Sequence, residues 1–148
     1  MARIQIMVGS EMGTAESVAA TAKDILDDAG FDAVVNPLPE VSDLTDSPDD
    51  IILICTSNTG AGDLPGSIQP LYLGLTREFP AIVGRHYGVI NLGDSSYATF
   101  GEAGRAIDAA FEDVGAVRVG EPLVLDACSG DDPNEIVKAW LPTWVAQL

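Results

Sequence analysis

The sequence predicts an α/β fold, a doubly wound three-layer sandwich around a five-stranded parallel sheet. Short apolar segments alternate with segments of helical apolar spacing, which is typical of parallel sheets with helical crossovers. Residues 51–55 read IILIC, without a polar residue, as in a strand that helices cover on both faces. Because 148 residues is the length of one domain, we expect residues 1–148 to form a single domain.

The first half of the chain contains three predicted strands and one long helix. Residues 3–8 form the first strand, and residues 13–29 have apolar side chains at helical spacing until Gly30 ends the helix. The second strand, residues 31–35, precedes residues 36–50, where three prolines predict a loop rather than a long helix. The apolar run at 51–55 is the third strand.

The second half of the chain continues the alternation. Helices are predicted at residues 66–78, 101–115 and 133–148, and strands at 87–92 and 122–125. The last helix has Asp132 as its N-cap and Pro133 at its first position. Trp140 and Trp144 are four residues apart on that helix, so we expect both to pack against the sheet.

The acidic composition restricts the partners that the chain can bind. Seven Lys and Arg residues oppose 23 Asp and Glu residues, which gives a formal net charge of −16. Such a field repels nucleic acids and anionic membranes and attracts basic proteins. The apolar runs are far shorter than the roughly 20 residues of a membrane span, and no signal-peptide pattern begins the chain. We expect a cytoplasmic monomer. The alternative to a basic partner is that the acidic residues serve only to keep the protein soluble.

The two cysteines form no metal-binding or redox motif. Cys55 and Cys128 are far apart in the sequence and no Cys-x-x-Cys pair is present, so no metal site is predicted. Cys55 ends an apolar strand and is expected to be a buried, small apolar residue. Cys128 lies in a polar loop, where a reactive thiol is the alternative to an inert one.

The first loop of the predicted ligand edge has the composition of a phosphate site. Ligands of doubly wound sheets bind beyond the carboxyl ends of the strands, and the first such loop, residues 9–15, reads GSEMGTA. Its glycines, the hydroxyls of Ser10 and Thr14 and the following helix can hold a phosphate without a basic side chain. It matches neither GxxxxGK[ST] nor GxGxxG. A turn without a ligand is the alternative.

The next two loops add a glycine-rich wall and aromatic side chains. Residues 56–65 read TSNTGAGDLP, where the glycines allow the backbone to change orientation. Residues 93–101 read GDSSYATFG, and we expect Tyr97 to lie flat on a ring and Phe100 to point inward. Together the three loops suit a flat phosphorylated heterocycle with the shape of flavin mononucleotide (FMN).

The segments SEMGTAE, TSNTGAGD and GDSSYATFG resemble the flavodoxin family, including the flavodoxin-like modules of diflavin reductases. The similarity extends over essentially the whole chain, whose length is that of a short-chain flavodoxin without an insertion in the last strand. The resemblance implies a flavodoxin-like sheet of strand order 2-1-3-4-5 and a bound FMN. It also implies an electron-transfer protein without catalytic residues, which shuttles single electrons between a reductase and an acceptor redox enzyme through a stabilised neutral semiquinone.

The resemblance also implies which residues would contact the cofactor. The phosphate would be held by Ser10, Glu11, Met12, Gly13, Thr14 and Ala15. The ring system would be lined by Thr56, Ser57, Asn58, Thr59, Gly60, Leu92, Gly93, Asp94, Tyr97, Phe100 and Gly101. In this family the peptide that matches Gly60–Ala61 turns toward the flavin N5 on reduction, Tyr97 would stack on the ring, and Asp94 would lie near N1 and disfavour the anionic, fully reduced flavin.

The chain departs from the family pattern at four of these positions. Met12 and Ala15 replace the usual threonines or serines, and Asn58 and Thr59 stand where many relatives have an aromatic residue. We therefore expect weaker flavin binding than in typical members. Acidic residues in or beside the loops would orient a basic redox partner, unless they are a random scatter: Glu11, Glu16, Asp63, Asp94, Glu102, Asp131 and Asp132.

Three functions other than electron transfer make their own demands on the sequence. A flavin-dependent reductase is a minor alternative, because the sequence contains no nicotinamide fingerprint or acid/base pair. A phospho-receiver domain needs an acidic pair after the first strand, an aspartate ending the third and a lysine after the fifth, and those places hold Gly9-Ser10, Cys55 and Asp126-Ala127. A flavin-free or weakly flavin-binding interaction module of the same fold stays open.

Overall fold

Strands and helices alternate along most of the described chain, as the sequence predicts. The computed structural model describes residues 2–10, 13–58, 63–96 and 101–148. The strands are β1 (Arg3–Gly9), β2 (Asp32–Asn36), β3 (Ile51–Thr56), β4 (His86–Gly93), β5 (Val117–Arg118) and β6 (Leu123–Asp126). The helices are α1 (Thr14–Asp28), α2 (Val41–Thr45), α3 (Gln69–Glu78), α4 (Glu102–Asp113), a 3-10 turn (Ala127–Ser129) and α5 (Pro133–Val145).

All described strand pairs are parallel, and the sheet order is β2-β1-β3-β4-β5 with β6 also paired to β4. The predicted order 2-1-3-4-5 is confirmed. The predicted count of five strands is corrected, because two short strands share the fifth position: β5 pairs with the start of β4 and β6 with its end. Gly120 has a φ of 69° and Pro122 has no N–H to donate, so the residues between β5 and β6 do not continue the ladder.

Helices cover the sheet on both faces, in three layers. Alternate β1 residues face opposite sides, so that Ile4 and Ile6 pack with α1 and α5 while Met7 packs with α2, α3 and α4. Trp144 belongs to the first of these two cores, and Trp140 packs against it from a partly exposed position. None of the described helices is both long and apolar enough to cross a membrane.

The segment predicted as a loop between β2 and β3 contains the short helix α2, which is a correction. A capping box begins it: the Glu40 side chain accepts from the N–H of Asp43, and Asp43 Oδ2 accepts from the N–H of Glu40 at 2.9 Å. Leu44 is fully buried and anchors the helix to the core. The prolines that argued for a loop all lie outside its five residues, so they do not break it.

Several predicted boundaries shift by one to three residues. The helix predicted from residue 66 begins at Gln69, and the helix predicted from 101 begins at Glu102, with Gly101 as its N-cap. The last helix begins as predicted, since Asp132 Oδ1 accepts from the N–H of Asn134 at 3.0 Å, but it ends at Val145. The strands β1, β2, β3 and β4 keep their predicted positions within one residue at either end.

Candidate functional site

The parallel strands bring the predicted loops together at one edge of the sheet. The register places Gly9 beside Thr56, Thr56 beside Asn91, and Gly93 beside Asp126. These residues lie at or near the carboxyl ends of β1, β3, β4 and β6. The described parts of the three predicted loops therefore begin in one row of neighbouring strand ends, together with the loop that follows β6, called the fourth loop below, as the fold predicts for a ligand edge.

The first two loops are tied together where they leave the sheet. A Cβ at Gly9 would lie 2.4 Å from Thr56 Oγ1 and 2.6 Å from Ile68 Cγ2, so only glycine fits there. The Gly9 carbonyl accepts from the N–H of Ser57 at 2.9 Å and from its hydroxyl at 3.3 Å. Ser67 Oγ accepts from the N–H of Ser10 at 3.1 Å. The start of the first loop is thus held by the neighbouring loop and by the turn before α3.

The N-cap residue of helix α1 has no side chain that could accept a hydrogen bond from the helix. Gly13 is the N-cap, has a φ of 83° and has no side chain, and its own N–H donates to Ser10 Oγ at 3.0 Å. Thr14 is exposed on the first turn. Ala15 is fully buried, and its carbonyl accepts from Cys55 Sγ at 3.4 Å. The alanine that departs from the family pattern therefore packs in the core; Glu11 and Met12 lie outside the described residues.

The second and third loops are described up to the segments predicted to line a ring. Thr56 is buried and donates from Oγ1 to the Ser57 carbonyl at 3.0 Å. Leu92 is buried, whereas Gly93 and Asp94 are partly exposed. The structure says nothing of the predictions for the remaining ring-facing positions, which lie outside the described residues: Thr59, Gly60, Ala61, Tyr97 and Phe100.

Asp94 and the fourth loop form one hydrogen-bonded cluster. Asp94 Oδ1 accepts from Cys128 Sγ at 2.8 Å, from the Ser96 hydroxyl at 2.6 Å and from the Ser96 N–H at 2.9 Å. Asp126 Oδ1 accepts from the N–H groups of Ser95 at 3.0 Å and Cys128 at 2.9 Å. No sequence motif predicts the pairing of Asp126 with Ser95; the one signal is that Asp126 directly follows the last predicted strand.

These hydrogen bonds favour the ionised form of both carboxylates. The Cys128 thiol, followed by the two Ser96 donors, lowers the pKa of Asp94 below its ordinary value. Hydrogen bonds from Ser95 and Cys128 lower the pKa of Asp126, against the opposing effect of the Asp94 charge. Oxygen atoms of both carboxylates and Cys128 Sγ lie within 4.8 Å of one another. Both carboxylates already accept bonds from chain donors, so the arrangement is explained without an ion.

We predict that Cys128→Ala raises the pKa of Asp94 toward its ordinary value, because the hydrogen bond from the thiol is the main cause of the lowered pKa. Since the folded pKa is lowered, this hydrogen bond stabilises the fold above the unfolded pKa, and its contribution is lost as the pH falls through the folded value. Carbon NMR of the carboxyl group measures the pKa. Cys128→Ser keeps a donor and is the control; equal shifts in both variants would contradict the assignment.

The remaining acidic residues of the prediction are exposed, and the two cysteines differ in burial. Glu16 and Glu102 lie exposed in the first turns of α1 and α4, at the candidate edge, and Asp63, Asp131 and Asp132 are exposed. Cys55 is buried as predicted, and burial raises its pKa to about 12, so it stays a protonated thiol. Cys128 is exposed.

The fold and the loop-built edge define a doubly wound α/β protein, and comparisons with known proteins identify its family. The flavodoxin family model matches residues 6–140. Flavodoxin YqcA of Escherichia coli K12 is 41% identical over 144 residues, which cover 97% of each chain. Protein MioC of the same strain is 34% identical over 148 residues, covering 100% of this chain and 99% of that one.

A solved structure agrees with these relatives. The structure of a cysteine-to-serine mutant of flavodoxin from Pseudomonas aeruginosa superposes with a TM-score of 0.91 and is 37% identical, covering 99% of this chain and 98% of that one. The chain belongs to the flavodoxin family. Flavodoxins are electron-transfer proteins and not enzymes, and typical members bind a flavin.

Proposed function

We propose that this chain binds FMN at the carboxyl edge of its sheet and carries single electrons between redox proteins. The observation that carries the proposal is the start of α1, where Gly13 has a positive φ and no capping side chain. The first N–H groups of a helix have no partner within the helix and carry part of its positive dipole. Such a helix start holds a phosphate without a basic side chain.

The groups around Gly13 fit a phosphate. A Cβ built at Gly13 would meet no atom of the other described residues within 4 Å, so they leave open space beside Gly13. Ser10 accepts from the N–H of Gly13, which leaves its hydroxyl hydrogen free to donate to a ligand. Thr14 adds a second hydroxyl on the exposed first turn. These donors support the proposed roles of Ser10, Gly13 and Thr14.

The ring of the cofactor is proposed to lie between the second and third loops. The neighbouring ends of β3 and β4 support this placement, because they start both loops from adjacent positions. Bound FMN supplies the one-electron chemistry, and the chain orients the cofactor and sets the electric field around it. Tyr97 is proposed to stack on the ring, and the Gly60–Ala61 peptide is proposed to change its orientation when the flavin is reduced.

The Asp94 carboxylate is proposed to lower the potential of the second one-electron step, because a fixed negative charge opposes the addition of more negative charge. We predict that Asp94→Asn raises the potential of this step. Potentiometric titration of the FMN-loaded protein measures it. Asp113→Asn, at the end of α4 and the opposite sheet edge, removes the same charge and serves as the control. A negative shift in Asp94→Asn would contradict the charge argument.

Basic redox proteins are the proposed partners, a reductase as donor and a second redox enzyme as acceptor. The support is the net charge of −16 together with exposed acidic residues at the candidate edge, such as Glu16 and Glu102. Complementary charges accelerate encounter without requiring a long-lived complex. Brief, salt-sensitive docking suits a carrier that must leave each partner after one transfer.

A visible absorption spectrum of the purified protein tests the proposal. The spectrum is recorded before and after addition of FMN and then during stepwise reduction. We expect the band of the added flavin to shift on binding and reduction to proceed in two separate one-electron steps. A protein that leaves the spectrum of added FMN unchanged contradicts the proposal and favours the flavin-free interaction module.

A further inference from the structure

Helix α4 is capped by a side chain from a different loop. Its N-cap, Gly101, has a φ of 76° and no side chain. Asn58 Oδ1 accepts from the N–H of Ala103 at 2.8 Å, although the two residues are 45 positions apart. An N-cap side chain usually accepts from the second or third N–H of its own helix, and Ala103 is the second residue of α4. Asn58 therefore supplies the bond that Gly101 cannot make.

A second side-chain amide, on the neighbouring strand β4, also contacts the start of α4. Asn91, on β4, is only 4% exposed, and its Nδ2 donates to the Gly101 carbonyl at 3.1 Å. A Cβ at Gly104 would lie 2.1 Å from Asn91 Cγ, so α4 rests directly on this amide. Asn91 Oδ1 is buried and has no hydrogen-bond partner among the residues that the structure describes. A buried acceptor without a partner is costly, which argues that this side chain is kept for the contact made by its Nδ2.

The two amides join the two loops proposed to enclose the flavin ring. Asn58 lies two positions before Gly60 in the second loop, and Gly101 directly follows Phe100 at the end of the third loop. The bonds from Asn58 to Ala103 and from Asn91 to Gly101 therefore link the entrance of one predicted ring-facing segment to the exit of the other. We call the side chains of Asn58 and Asn91 the amide clamp.

We propose that the amide clamp is a positioning device for the ring pocket, with Asn58 as the residue that couples the second loop to the third. This inference rests on the proposed function. The acceptor of Asn58 is used at the start of α4, which ties the second loop to the end of the third. Loss of the Asn58 acceptor separates the two walls of the pocket while leaving the phosphate loop intact.

The test is the affinity for FMN and for riboflavin, which lacks the phosphate, together with hydrogen exchange at the Ala103 amide. Asn58→Leu has a similar size without an acceptor, and Asn58→Asp keeps an acceptor. We expect Asn58→Leu to expose the Ala103 amide to exchange and to weaken both flavins equally, by about five- to tenfold, the value of one hydrogen bond. We expect Asn58→Asp to retain the protection of Ala103 and most of the affinity.

A matched control removes an amide acceptor elsewhere. Asn134 Oδ1 accepts from Thr21 Oγ1 at 3.0 Å between α5 and α1, so Asn134→Leu loses a comparable bond that does not join the two ring loops. It should leave both flavin affinities unchanged. If Asn58→Leu does not fold, Asn58→Ala is the second variant without an acceptor.

The outcomes separate this inference from the proposed function. Wild-type affinity for both flavins in Asn58→Leu, with fast exchange at Ala103, would overturn the coupling and leave the electron carrier intact. A wild-type protein that binds neither flavin would overturn the proposed function and the clamp's role in it. A loss of FMN affinity without a loss of riboflavin affinity would also overturn the inference, because it would place the effect at the phosphate.

Discussion

Replacing Thr14 with aspartate is expected to weaken FMN binding by about 30- to 150-fold without weakening the fold. Thr14 is exposed and is the first residue of α1. It follows the N-cap Gly13, which has no side chain to cap the helix. An acidic side chain there interacts favourably with the helix dipole, so the unliganded protein should be unchanged or slightly more stable. A phosphate dianion bound at the same helix start would be repelled by about 2–3 kcal/mol, because water and salt at this exposed site screen the roughly 6–7 kcal/mol Coulomb energy of such charges about 5 Å apart at an effective dielectric constant of about 20.

Two comparisons isolate the charge from the loss of the threonine hydroxyl. Thr14→Asn has nearly the shape of the aspartate variant without its charge, and should lose tenfold or less, about the value of one hydrogen bond. Riboflavin has no phosphate, so its affinity should be nearly the same in the wild type and in Thr14→Asp. Fluorescence titration gives all of these dissociation constants. Equal weakening of FMN and riboflavin in Thr14→Asp would remove the phosphate from the N-terminus of α1.

The fold was predictable from the sequence wherever periodicity and burial act together. The run IILIC became β3 because a strand covered on both faces leaves no room for polar side chains. Asp132 and Pro133 marked the start of α5 through local chemistry alone. The short helix α2 does not follow from the sequence pattern, because its capping residues, Glu40 and Asp43, lie among prolines that favour a loop.

The divided fifth strand could not be predicted from local patterns. Residues Val117–Arg118 form β5 only because β4 is long enough to pair with two short strands, a tertiary effect that two residues do not signal. The ordering of the loops at the candidate edge was predictable, since parallel strands place their carboxyl ends together. The contacts within that edge were not, because Asn58 meets Ala103 and Asp94 meets Cys128 only after the chain has folded.

Trp144→Ala is expected to have the largest effect on stability, about 3–5 kcal/mol, because it opens a large cavity in the core between the sheet and α5. The indole is fully buried, stacks on Trp140 with centroids 5.9 Å apart, and lies where a Cβ at Gly88 would be 2.5 Å from its nitrogen. Its Nε1 donates to the Val119 carbonyl at 3.1 Å. Val119 lies between β5 and β6. The Trp144 side chain therefore fills the core and also fixes the segment that separates these two short strands.

Chemical denaturation measures these two roles separately. Trp144→Phe keeps most of the apolar volume but leaves the Val119 carbonyl without its donor, so we expect a smaller loss, about 1–3 kcal/mol. Trp140→Ala removes a partly exposed ring from the same stack and should cost less than Trp144→Ala. A domain of this size loses roughly 2–4 °C of melting temperature per kcal/mol, so Trp144→Ala should melt about 6–20 °C lower. A loss below about 1 kcal/mol in Trp144→Ala would mean that the core closes around the missing ring, and that the last helix contributes less to the sheet than its packing indicates.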